Sequence, residues 1–165
     1  MATSRIDGDL YVVGGLAAQT MMLPAAAVSN TNVAAAAAIA ATKLQHQHQL
    51  TLPLTDHATA QTVVRKAIHK VYGTTGTLIA FKVGVTVAAT AGNSIVVDLL
   101  KNGSSILTST VTVDSTVAAY AVATASGFTS ASVSAGDLLE VSVTTVTGTA
   151  PKGVHAVLIV QEDAQ

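Results

Sequence analysis

From about Gln61 to Glu162 the chain alternates apolar and polar residues, with Val, Thr and Ala dominant and Gly or Asn interrupting at short intervals. A period of two places successive side chains on opposite faces of a strand. β-branched residues pack well on such a pleated surface. The pattern predicts strands over about 61–71, 77–87, 94–101, 104–113, 118–125, 138–146 and 153–161. The clearest hairpin is IVVDLLKNGSSIL, where Asn102-Gly103 suits a type I′ turn between two alternating runs. Gly76, Gly92, Gly136-Asp137 and Gly148 mark other turns. Strands at this spacing, with no helical pattern among them, predict a β-sandwich or barrel.

Alternation assigns Ile79, Phe81, Val83, Val97, Leu99, Ile106, Leu139, Val141, Val143, Val157 and Ile159 to the core. Each such side chain contributes roughly 1.5–3 kcal/mol when fully buried. The chain has no cysteine, so stability has to come from packing or from oligomerisation.

Residues 1–49 follow a different pattern. Asp7-Gly8 is a turn dipeptide, Leu10–Val13 has strand character and Gly14-Gly15 ends it. Residues 16–28 are apolar and irregular, and Pro24 opposes a helix through them. Ser29-Asn30-Thr31-Asn32 offers N-caps to a helix expected over Val33–Gln45. Its stripe of Val33, Ala36/Ala37, Ala40 and Leu44 presents small side chains to another backbone, such as a copy of itself. Residues 50–60 are expected to link this region to the β domain of residues 61–165, with strand character near Gln49–Leu54. A weakly charged, apolar segment joined to a β domain implies burial against another protein.

Only 10% of residues are charged, against about 25% in typical soluble domains. A surface of Thr, Ser, Gln and Ala suits a protein packed against neighbours. The net charge of −1 argues against non-specific nucleic-acid binding. Arg65, Lys66, His69 and Lys70 form the densest cationic stretch. Strict alternation would put Arg65 and His69 on one face and Lys66 and Lys70 on the other, as on a solvated edge strand. The longest apolar run, Val33–Ala41, is far short of the roughly 20 residues needed to span a membrane. Arg5 followed by LYVVGGLAA imitates a secretion signal, but Asp7, Asp9, Gln19, Thr20 and Pro24 interrupt that pattern.

Candidate chemistry is sparse. His46-Gln47-His48 has a ligand-pair spacing, yet two histidines lack the further ligands that zinc requires. Repeated about a threefold axis the pair would gain partners, but interface hydrogen bonding with Gln45, Gln47 and Gln49 is the reading adopted. Asp98, Asp114 and Asp137 sit beside turns or at outward strand positions, where capping is expected. No nucleophile elbow, phosphate loop or redox motif is present. No catalytic residue, metal or cofactor is therefore expected. The chain has no Trp, so host-surface sugar binding is possible but not indicated.

SRIDGDLYVVGGL, the Met/Leu-Pro segment and SNTNVAAAAAIAATKLQHQHQ resemble the N-terminal region of bacteriophage head decoration (cement) proteins. The DLLKNG, GDLLEV and GVHAVLIV segments resemble the same family and also recur in phage fibre heads. The resemblance implies an all-β, jelly-roll-like antiparallel β-sandwich, preceded by an extended arm with one short Ala-rich helix. It also implies a homotrimer on the outer capsid surface whose arm grips the major capsid protein. On that reading Ile6, Leu10, Tyr11, Met21, Met22 and Leu23 bury against the capsid, while Arg5, Asp7 and Asp9 fix orientation. Val33, Ala37, Ala40, Leu44, His46 and His48 would lie at the trimer interface. The rival expectation is a trimeric receptor- or carbohydrate-binding head-fibre module.

Overall fold

A computed structural model describes residues 45–163, which form ten β-strands in two five-stranded antiparallel sheets. The strands are β1 (Gln45–Pro53), β2 (Val64–Lys70), β3 (Thr75–Gly84), β4 (Ser94–Lys101) and β5 (Ser104–Ser105). They continue as β6 (Val111–Asp114), β7 (Val122–Thr124), β8 (Ser132–Ser134), β9 (Leu138–Thr147) and β10 (His155–Asp163). The first sheet runs β1-β10-β3, with β7 and β8 pairing opposite ends of β3. The second runs β2-β9-β4, with β5 and β6 pairing opposite ends of β4.

Both sheets send their apolar faces into one hydrophobic cluster. Phe81, Val83, Leu158 and Val160 come from the first sheet, and Ile95, Leu99, Leu139 and Val141 from the second. The β4–β5 turn has Asn102 and Gly103 at φ 51° and 86°, the left-handed pair that a type I′ turn requires. Asn102 also ties this turn to the start of β9, donating from Nδ2 to Asp137 and accepting the Leu138 amide at Oδ1.

Strand β4 matches its expected span, and the other expected strands are shifted or divided. The run 104–113 splits into β5 and β6, while 118–125 contracts to β7 because Tyr120 turns the chain at φ 63°. Strand β8 was not anticipated. Strand character expected near Gln49–Leu54 extends back to Gln45, so the expected linker is partly an edge strand, and Gln45 opens β1 instead of closing a helix. The proposed helix otherwise lies outside the described residues.

Three expected core residues face the other way. On β10 the buried set is Ala156, Leu158 and Val160, so Val157 and Ile159 lie on the outer face. On β3 a bulge leaves Ile79 without a partner between Leu78, opposite Val160, and Ala80, opposite Ile159. The extra residue keeps both Leu78 and Phe81 inward and turns Ile79 out, 47% exposed. A second bulge, at Ile68, breaks the expected alternation on β2. Arg65 pairs with Ser142 on the outer face, whereas His69 pairs with buried Leu139, so the two do not share a face.

Candidate interaction surfaces

The candidate capsid-binding residues Arg5, Ile6, Asp7, Asp9, Leu10, Tyr11, Met21, Met22 and Leu23 lie outside the described residues. So do Val33, Ala37, Ala40 and Leu44. His46 is placed by its backbone alone, opposite Glu162 in the β1–β10 ladder. His48 stands opposite Val160 on the same strand and is exposed. Its ring centroid is 6.3 Å from that of His69, and the rings are tilted by 33°.

Three strands meet at this corner. The His69 imidazole, on β2, bonds through Nε2 to the Glu162 carboxylate on β10. The other carboxylate oxygen accepts the Gly73 amide at 3.1 Å. Glu162 is 6% exposed. Burial alone would raise its carboxyl, but the bonds from His69 and Gly73, with the nearby charges of His69 and His48, outweigh burial. The group is held below the usual carboxylate range. This pair is a pin between the two sheets, linking their β2 and β10 members. Sequence inspection missed it because His69 and Glu162 are 93 residues apart.

The outer faces of the two sheets differ in chemistry. On the second sheet Arg65 donates from Nε to Glu140 at 3.0 Å, and Asp98 accepts from the Leu99 amide and the Ser105 hydroxyl. On the first sheet the rows across the strands are neutral for the most part. Gln49 stands opposite Ile159, which faces Ala80 beside the bulged Ile79. Thr51 stands opposite Val157, which faces Lys82 and then Thr124. In a third row His155, Gly84 and Val122 are neighbours, and a Cβ on Gly84 would come within 2.4 Å of the His155 ring and 3.1 Å of Val122. Glycine there lets both side chains lie flat across β3. Lys82 is the only Asp, Glu, Lys or Arg in these three rows.

Asp114 and Asp137 are engaged locally. Asp114 accepts the Thr116 hydroxyl and amide, which hold its carboxyl low. Asp137 accepts the Ser134 amide, its main lowering influence, and the Asn102 side chain. A cleft of about 320 Å³ is lined by Pro53, Leu54, Thr55, Asp56, Thr59, Ala60, Thr62 and Lys66. The Lys66 ammonium already donates to the carbonyls of Pro53 and Leu54. Among the described residues, no group of three His, Cys, Asp or Glu is arranged to hold a metal ion. No protein-family model matches the chain, and neither does any curated protein.

Proposed function

We propose that the chain is a non-enzymatic structural virion protein, a capsid decoration (cement) protein acting as a homotrimer on the outside of a phage head. The observation that carries this reading is the strand order. Taking β5 with β6 and β7 with β8 as two interrupted strands, the sheets order as first-tenth-third-seventh/eighth and second-ninth-fourth-fifth/sixth. This order is the one that a double-Greek-key jelly roll would have, an architecture common in viral capsids and lectins, and it supports the reading. Residues 1–44, apolar and poor in charge, run directly into its edge strand β1. Such a segment loses conformational entropy on docking but can bury more than the ~800 Å² per partner of a standard interface. Contacts made only in the assembled shell stabilise that shell by mass action.

The full-length protein added to expanded heads is expected to co-sediment with them and to saturate at hundreds of copies per particle. It should also raise the temperature at which the heads rupture. Saturation at a few tens of copies, or binding confined to tails, would refute the reading.

Tyr120 favours a second reading, a receptor- or carbohydrate-binding head-fibre module. Its side chain is 80% exposed on a left-handed turn, and residues held in that sparsely populated region cluster at ligand sites. Binding to host glycans that is lost in Tyr120→Ala, without any binding to heads, would support this alternative.

A further inference from the structure

We infer that Asn102-Gly103 is a spontaneous deamidation site that Asp137 and the Leu138 amide hold unreactive while the domain is folded. Of the four asparagines, Asn30, Asn32, Asn93 and Asn102, only Asn102 is followed by glycine. Glycine has no Cβ to crowd its own nitrogen, so the Gly103 amide is the one best able to attack the carboxamide before it. Both residues are exposed at the tip of the β4–β5 hairpin. In the reaction the Gly103 nitrogen bonds to Asn102 Cγ and gives up its proton. The Cγ–Nδ2 bond breaks, and Nδ2 leaves as ammonia. Water then opens the cyclic imide at either carbonyl, which puts aspartate or isoaspartate at position 102.

The folded turn is braced against this chemistry. Asn102 Nδ2 donates to Asp137 Oδ1 at 2.7 Å, and Asn102 Oδ1 accepts the Leu138 amide at 2.9 Å. The Asn102 backbone amide also donates to the Leu138 carbonyl at 2.9 Å, which fixes the main chain beneath the side chain. Both ends of the carboxamide are thus tied to the start of β9. Ring closure needs Cγ to turn back over the Gly103 nitrogen, and that movement breaks both side-chain bonds. Losing one bond to an ionised carboxylate and one to a neutral amide slows closure by about 100-fold, or ~2.7 kcal/mol. The product does not suit the brace. A carboxylate at 102 would stand against Asp137, which already accepts the Ser134 amide at 2.9 Å, and like charges sharing a site repel. Deamidation would therefore unfasten the hairpin from β9.

The test is the rate of isoaspartate formation at residue 102, read by peptide mass spectrometry after incubating the full chain at mildly alkaline pH. The native chain is expected to react about 100-fold more slowly than the same chain unfolded in urea. Asp137→Ala frees the amide nitrogen and is expected to raise the native rate about tenfold, with circular dichroism as the check of folding. That variant also loses the Ser134 bond, so Asn102→Asp supplies a second arm that needs no rate. It should lower the melting temperature at neutral pH, and lower it less when Asp137→Asn removes the opposing charge. Native and unfolded chains that react equally fast would overturn the inference. So would a folded Asp137→Ala chain that reacts at the wild-type rate, or an Asn102→Asp chain whose stability is the same whichever residue stands at 137.

Discussion

Glu162→Ala is expected to cost the β domain about 3 kcal/mol, because it removes a carboxylate that joins β10 to β2 and leaves buried partners unpaired. His69 would lose its acceptor, and so would the Gly73 amide. For a domain of this size that corresponds to a fall of roughly 10 °C in melting temperature. Glu162→Gln keeps the shape and one acceptor oxygen, so its cost at neutral pH should be smaller, about 1 kcal/mol. The pH dependence has a definite sign. The folded carboxyl lies below its ordinary range, whereas in the unfolded chain it titrates near ~4.3. The stability it contributes is therefore complete above that unfolded value and is lost as pH falls through the lower folded one. Denaturant titrations between neutral and strongly acid pH should show the wild type ahead of Glu162→Gln at neutrality, with the gap closing in acid. A gap that stays constant throughout would contradict an ionised carboxylate at this corner.

Deleting residues 1–28 is expected to abolish binding to heads while leaving the β domain folded and associated. Phe81, Ile95, Leu99, Leu139 and Leu158, which centre the core, all come from strands that follow the deletion and are retained. What is removed is the apolar run containing Ile6, Leu10, Tyr11, Met21, Met22 and Leu23, the segment assigned to the capsid contact. Losing that contact should abolish co-sedimentation at concentrations where the full chain saturates. Retained binding by the truncated protein would place the capsid contact on the β domain.

Much of the fold was legible because local chemistry and tertiary structure agree. Asn102-Gly103 carries its own turn geometry, and IVVDLLK alternates cleanly, so β4 sits where it was expected. The frame of β10 was not legible. In VHAVLIV both faces are apolar, and a one-residue slip changes which set is buried without changing the pattern. Only the pairing with β3 decides between them, and it selects Ala156, Leu158 and Val160. The bulges at Ile68 and Ile79 were hidden for a related reason: each inserts an aliphatic residue that suits either face. That ambiguity put Val157 and Ile159 in the expected core, whereas the ladder turns them to the outer face. The corner of His48, His69 and Glu162 joins three strands distant in sequence, and no local pattern announces such a contact. The arm residues that define the proposed capsid contact were readable only from their composition and resemblance.

The position of this chain on the particle can be read from a density map of intact heads. Three copies of the two-sheet domain are expected to cluster at threefold positions on the outside of the shell, with their N-terminal segments laid along the capsid subunits. Density for this chain confined to the tail, the collar or the fibre tips would contradict it.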